Sequence, residues 1–331
     1  MNSKEDEPAI FEYDIVFSAP PLVASRSEFE HRFEEVMSLV KPDLVIPCRD
    51  EDVAFLAELA EERPALRDRL LCGSRTLASA MLDKGHSWVF SQTHGLPFAP
   101  VVEADAPTTA VDAFIQQHGF PFIAKPRNGF ASKGVTLVLE RGQLDALLGQ
   151  KDLILQKFLG DPMAVTEYLG RIKKEGIPLF HSFEETKISV QGCIGPDGTV
   201  GGVFVTQNTM RQGQSVCVEI SEDNSALLEG TRWVAKLAEL GWKGPINLQC
   251  QRDQNGQLMI YEYNGRFTGA TSARVLLGFD EVGITLKMWL GHEFPSSGIE
   301  SGNRAVVRAP ISRAVELEKV RLLHEASDWR P

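Results

Sequence analysis

The chain is short of the residues that build covalent frameworks and transition-metal sites. Its five cysteines, Cys48, Cys72, Cys193, Cys217 and Cys250, contain no CxxC pair. Neither a disulfide scaffold nor a zinc site is therefore expected, and reduced, buried thiols fit the pattern better. The seven histidines include no HxH or HExxH spacing, which argues against a histidine-based metal centre. Positive charge is also scarce: 34 Lys and Arg against 45 Asp and Glu give a formal charge of -11. A general nucleic-acid binder needs the opposite balance to neutralise phosphates. No apolar run approaches the roughly 20 residues that span a bilayer. The acidic start, Met1 to Pro8, is not a secretory leader either. The expectation is a soluble, cytoplasmic protein with no nucleic-acid or membrane partner.

What is present suits a globular enzyme. At 331 residues, 43% hydrophobic and 24% charged, the chain has room for two or three packed domains. Tyr13 to Ser18 and Leu44-Val45-Ile46 read as strands. The apolar spacing over Glu28 to Val40 predicts a helix, and Asp50 is placed to cap another. This alternation predicts an α/β start with a largely parallel sheet. Helical stretches are expected over Leu77 to Phe90, Thr108 to His118 and Gln143 to Leu148, with a further helical face between Leu227 and Ala238. From Phe122 onward the pattern turns to hairpins. Gly195-Pro196-Asp197-Gly198 and Asn255-Gly256 are the clearest turns. Residues 160–183 form a polar, amphipathic insertion.

Three segments carry chemistry. Lys125 ends the strand Phe122-Ile123-Ala124 and precedes a glycine-bracketed turn, Asn128 to Gly134, whose N–H groups can fold over phosphates. It is neither a Walker A loop nor a GxGxxG fingerprint, since a strand follows rather than a helix. Gln249, Glu262 and Asn264 sit in the hairpin closed by Asn255-Gly256. Glu262 and Asn264, two apart, share a face. Three oxygen-bearing side chains suit Mg²⁺, which keeps its other positions for phosphate and water. Arg266, one alternate position further, is within reach of a transferring phosphoryl group. Between these segments, Leu153 to Leu159 is apolar enough to line a base pocket, and Glu184 and Glu185 can accept from sugar hydroxyls. Taken singly, each segment is equally an ordinary turn, polar strand or charged surface.

In this order the segments resemble the ATP-grasp superfamily over roughly residues 40–290, closest to its carbamoyl-phosphate synthetase large-subunit-like branch. The likeness rests on Ile123-Ala124-Lys125-Pro126, Gly129, Ser132-Lys133-Gly134, Ile154-Leu155-Gln156-Lys157-Phe158, and Gln249 with Glu262-Tyr263-Asn264-Gly265-Arg266. It implies α/β plus α+β architecture: a Rossmann-like pre-ATP-grasp domain (1–82), a two-lobed ATP-grasp domain (83–294, lid lobe about 120–158) and a C-terminal strand and helix (295–331). Carried over by position, Lys125 and Lys84 bind phosphate oxygens, and Ser132, Lys133 and Gly134 belong to the lid over the triphosphate. Gln156 and Phe158 offer backbone groups to adenine, and Glu185, with Glu184 as alternative, holds ribose. Gln249, Glu262 and Asn264 hold Mg²⁺, or Mn²⁺ in its place. Arg266, Lys125 and Arg211 stabilise the transferring phosphoryl group.

Three departures stand out. Ala131 occupies a lid position where glycine is frequent, the 160–183 insertion lengthens the link to the ribose glutamate, and the first, glycine-rich β-α unit of the pre-grasp domain is missing, so this domain reads as truncated. The implied activity is an ATP-dependent carboxylate–amine ligase that forms an acyl phosphate and releases ADP and phosphate, acting on small-molecule carboxylate and amine substrates. Carboxyphosphate or carbamoyl-phosphate chemistry and a non-catalytic ATP-binding regulatory module stay open. Thr268 to Arg274 is expected to open a helix at the substrate, and residues 295–331 serve either packing or a homodimer.

Overall fold

A computed structural model describes residues 1, 3, 8–129, 132–176, 186–211, 213–293, 305–309 and 317–329. The fold resolves into two compact units, Met1–Val45 with Ala309–Pro331, and Ile46–Arg308. The first unit thus joins the two ends of the given chain. In it, β1 (Val16–Phe17) pairs antiparallel with the last strand, β12 (Asp328–Trp329). The helix Arg26–Val40 buries only Phe33, and the small core gathers Ile10, Val16 and Leu323. Arg32 ties the unit together by donating to the carbonyls of Ser18 (3.1 Å) and Ser327 (2.8 Å).

The expected parallel sheet is corrected here: every described strand pair of the molecule is antiparallel, and the isolated bridge Phe98–Ile260 runs parallel. Leu44-Val45-Ile46 forms no extended strand and keeps a single bridge residue, Val45. Its three residues lie between Pro42 and Pro47, and a proline has no N–H to give a ladder.

The second unit holds two sheets. In the first, β2 (Val101–Glu103), β3 (Phe122–Pro126), β4 (Thr136–Val138) and β5 (Leu153–Lys157) run in the order β2-β5-β3-β4. Phe122 and Ala124 turn into a core with Val111, Phe114, Val138 and Leu155. Two-residue alternation therefore sends Ile123 and Lys125 to the opposite face. Phe130 and Ala131, the latter the unusual lid residue, lie outside the described residues. Gly134, just beyond them, sits at φ +72°, which glycine alone adopts freely.

The second sheet comprises β6 (Thr186–Ile194), β7 (Val200–Arg211), β8 (Gln214–Ile220), β9 (Gly244–Arg252), β10 (Leu258–Asn264) and β11 (Ala305–Val307), in the order β10-β9-β6-β7-β8-β11. The helix Asn224–Glu239, capped by Asp223, covers one face; a Cβ on Gly192 of β6 would meet its Val234. By alternation Ser189, Gln191, Asn247 and Gln249 point to the other face. The Asn255-Gly256 turn forms as expected, held by Asp253 accepting from the N–H groups of Asn255 (2.9 Å) and Gln257 (3.0 Å).

Several helices refine the sequence reading. The stretch from Leu77 splits into Arg75–Leu82 and Lys84–His94, because the Asp83 carboxylate accepts from Gly85 N (2.8 Å) and His86 N (3.0 Å) and starts a new helix. The insertion begins as the helix Pro162–Glu175, capped by Asp161. The helix opened at Thr271 runs to Leu276, followed by Glu281–Leu290, which the sequence reading had not resolved. Among the described residues no helix is long and apolar enough to cross a membrane.

Candidate functional site

A cleft of ≈ 950 Å³, counting space open to solvent at its mouth, lies between the two sheets of the second unit. Lys84, Lys125, Ser132, Lys133, Gln156, Phe158, Gln249 and Glu262 all line it. Gly134 adjoins two lining residues, Lys133 and Val135.

Lys125 reaches across from β3 to β10. Its Nζ donates to the carbonyl of Tyr261 at 3.1 Å, and the residue is only 6% exposed. Burial pushes its ammonium down to about 7; Glu262 opposes the shift, and Lys84 and Lys187 add to it. The Tyr261 ring has Lys125 Nζ 5.5 Å and Lys187 Nζ 5.4 Å from its centroid. Three lysines around one buried point make a strong anion site.

A single irregularity in the hairpin builds the facing wall. Ile260 pairs Cys250, yet Glu262 pairs Gln249, so Tyr261 is an extra residue bulged out of β10. The bulge turns Glu262 to the same face as Gln249, where uninterrupted alternation would have kept it on the side of Ile260. It also leaves the Tyr261 carbonyl to accept from Lys125 and from Gln156 Nε2 (3.4 Å). The Tyr261 hydroxyl in turn donates to Gln249 Oε1 at 2.9 Å.

The three expected metal ligands come together on this wall. Glu262 is cross-strand from Gln249, and Asn264 is two residues further along the same face. Among the described residues no group of three His, Cys, Asp or Glu could hold a metal ion, but the set here is one carboxylate and two amides. Glu262 Oε1 pairs with Lys84 Nζ (3.2 Å), and Asn264 Oδ1 accepts from Arg266 Nη2 (3.1 Å). Each oxygen keeps a lone pair beyond its present partner. Hard oxygens of low total charge fit Mg²⁺ that shares its shell with phosphates.

Lys84 joins the metal wall to the turn after β3. Besides Glu262 it donates to the carbonyls of Gly129 (3.3 Å) and Arg127 (3.5 Å). Arg127 holds that arrangement from behind: Nε pairs with Asp83 at 2.8 Å and Nη1 with Glu103 at 2.5 Å. The Asp83 carboxylate thus both caps the helix that starts at Lys84 and grips the turn. These ion pairs raise the Arg127 pKa further above its already high value, the Asp83 bond most.

Other expected residues lie differently. Arg266 and Asn264, further along the same strand end, are not among the lining residues, and Arg266 Nη2 is also paired to Asp50 Oδ2 at 2.8 Å. Arg211, exposed near the end of β7, is not among the lining residues. Glu184 and Glu185 lie outside the described residues. Arg274 is fully buried, its Nε donating to Glu281 Oε1 (2.8 Å) and its Nη2 to Thr268 Oγ1 (2.8 Å); its guanidinium faces an internal carboxylate. Tyr261, Lys187 and Gln251 were missed, and Asp50 was read only as a helix cap. Their places depend on the bulge and on long-range packing, which no local signal gives.

No family model matches the chain, and no curated protein matches it. Solved structures do. It is similar to N5-carboxyaminoimidazole synthetase from Staphylococcus aureus complexed with ADP, at 16% identity and TM-score 0.61, over 81% of this chain and 65% of that one. It is similar to the biotin carboxylase domain of Hydrogenobacter thermophilus 2-oxoglutarate carboxylase, complexed with MgADP, ADP and bicarbonate, at 16% identity and TM-score 0.58, over 80% and 57%. An L-amino acid ligase from Bacillus licheniformis matches at 15% identity and TM-score 0.58, over 82% and 62%. The chain spans 57 to 65% of the length of these three proteins. All three are ATP-grasp proteins, and the chain has the ATP-grasp fold.

Proposed function

We propose that this chain is an ATP-dependent, ADP-forming carboxylate–amine ligase. The observation that carries the proposal is the convergence, in one cleft, of Lys84 and Lys125 with the oxygen set of Gln249 and Glu262, with Asn264 and Arg266 further along the same strand end. In this reading Lys125 and Lys84 bind phosphate oxygens, Ser132, Lys133 and Gly134 close over the triphosphate, Gln156 and Phe158 face adenine, and Glu185 takes ribose. Gln249, Glu262 and Asn264 hold Mg²⁺, for which Mn²⁺ can substitute. When bound, that ion supplies positive charge to the phosphate oxygens.

The chain's own part is positioning and charge stabilisation. A substrate carboxylate oxygen attacks the γ-phosphorus, the bond to the bridging oxygen breaks, and ADP leaves. Lys125 and Arg266, with Arg211 contributing less, offset the charge of the phosphoryl group in transit. The amine then attacks the acyl carbon, and phosphate departs with the amide formed. Bicarbonate as the carboxylate is a second reading, favoured by the bicarbonate in one similar structure. By the same reading, residues 1–82 are the pre-grasp segment, 83–294 the grasp domain with its lid near 120–158, and 295–331 a packing element or homodimer surface, in a cytoplasmic enzyme.

The test is an ADP-release screen against pools of amino acids, small acids and bicarbonate. ADP and phosphate should appear only when a carboxylate and an amine are both present, or with bicarbonate alone under the second reading. Formation of AMP and pyrophosphate would exclude the acyl-phosphate route. Nucleotide binding without turnover in any pool would instead support a regulatory module.

A further inference from the structure

Asp50 opens the helix Asp50–Glu62, where an acid ordinarily serves the backbone of its own helix. That duty falls to Asp52, whose Oδ2 accepts from the N–H groups of Arg49 (3.0 Å) and Cys48 (3.3 Å). The Asp50 carboxylate instead meets Arg266, 216 residues along the chain. One guanidinium nitrogen, Nη2, is shared between Asp50 Oδ2 at 2.8 Å and Asn264 Oδ1 at 3.1 Å. The two charged side chains are 21% and 15% exposed, so solvent screens the contact only in part.

The pair is not saturated. Asp50 Oδ1, Arg266 Nε and Asn264 Nδ2 are buried without a hydrogen-bond partner among the described residues. Unmet buried groups cost stability, so a staple selected only to hold the helix on the sheet would pair them. Arg266 Nη1 donates to the carbonyl of Phe267 at a long 3.3 Å, so the closer contacts, to Asp50 and Asn264, are the ones that aim the guanidinium.

We infer that Asp50 is a positioning residue that fixes Arg266 beside Asn264 so that the guanidinium meets the γ-phosphate of a bound nucleoside triphosphate. The inference rests on the reading of the cleft as an Mg·ATP site. It makes the segment ahead of the grasp sheets part of the reaction centre, acting through Arg266.

The experiment compares dissociation constants of Mg·ADP and of Mg·adenylyl imidodiphosphate, whose ratio isolates the γ-phosphate. The wild type should favour the triphosphate analogue. Asp50→Asn should lower that preference about tenfold and leave Mg·ADP affinity within about twofold, as expected for removal of a charge-assisted contact. Asp50→Glu should recover part of it, and Asp50→Asn in an Arg266→Ala background should change nothing more. A purely structural Asp50 would shift both constants together and lower the melting temperature, which overturns the inference. So would an unchanged or increased preference in Asp50→Asn, additive losses in the double variant, or a wild type indifferent to the γ-phosphate. A wild type that binds neither nucleotide sinks the Mg·ATP reading itself, a result separable from all of these.

Discussion

Lys125 places an ammonium where water cannot solvate it, beside Lys84 and Lys187 and with Glu262 as its counter-charge among the described residues. With its pKa down at about 7 from 10.5, the side chain is largely neutral in the free protein above pH 7 and largely charged below it. Phosphate oxygens favour the charged form, so a nucleotide raises that pKa again. The sign follows: above pH 7, binding takes up a proton and affinity falls as pH rises, whereas near pH 6 the proton is already present. Titration calorimetry of Mg·ADP at pH 8 in two buffers of different ionisation enthalpy should reveal uptake of up to one proton, absent at pH 6 and absent in Lys125→Met. Identical heats in both buffers at pH 8 would refute the assignment. Glu262 supports a second expectation. Glu262→Gln keeps the shape and an oxygen but removes the negative charge: it strips Lys84 of its ion pair and the proposed metal set of its one carboxylate. ADP release should drop by about a hundredfold or more, with the circular dichroism spectrum unchanged.

Between single residues and the molecule stand the elements that aim them. The turn after β3 is gripped by Arg127, whose ion pairs to Asp83 and Glu103 fasten it to the start of the helix carrying Lys84. Arg127→Ala leaves the Asp83 carboxylate with its helix N–H groups alone. We expect a stability loss of about 1–3 kcal/mol in urea unfolding and nucleotide affinity weakened by about tenfold. A variant that loses stability but binds nucleotide normally would detach Arg127 from the site. Much at this scale was legible in the sequence. Lys125 ending an alternating strand, and Asn255-Gly256 closing a hairpin, are local signals, and local signals survive folding. The Tyr261 bulge was not legible, because alternation read along one strand cannot reveal a residue left unmatched on its neighbour. Asp83 likewise looked like the interior of one helix, and its side chain made it the border of two. The N-terminal parallel sheet failed for a different reason: short apolar runs beside prolines carry hydrophobicity without the donors a ladder needs.

For the whole molecule, ligand binding and folding are linked. Anything that binds the folded cleft and not the unfolded chain stabilises it, by about 2.7 kcal/mol at a hundred times the dissociation constant. Saturating Mg·ADP should therefore raise the melting temperature by several degrees, and EDTA should erase most of the gain. A thermal transition indifferent to nucleotide at millimolar levels would leave the cleft without its assigned occupant. The fold was legible in the order of the three segments around Lys125, Leu153 to Leu159 and the Asn255-Gly256 hairpin, which is a property of the whole chain and of no segment alone. The tie from Asp50 to Arg266 was not, because nothing in either neighbourhood names the other.

Tyr261 has one more consequence. Ile260 and Glu262 already pair with consecutive residues of the neighbouring strand, so the ladder has no use for the amino acid between them. Excising Tyr261 should leave a regular hairpin with Glu262 still facing the cleft, while severing the carbonyl that Lys125 grips and the phenol that orients Gln249. One codon fewer would then separate what the strand needs from what the two lobes need to stay in touch.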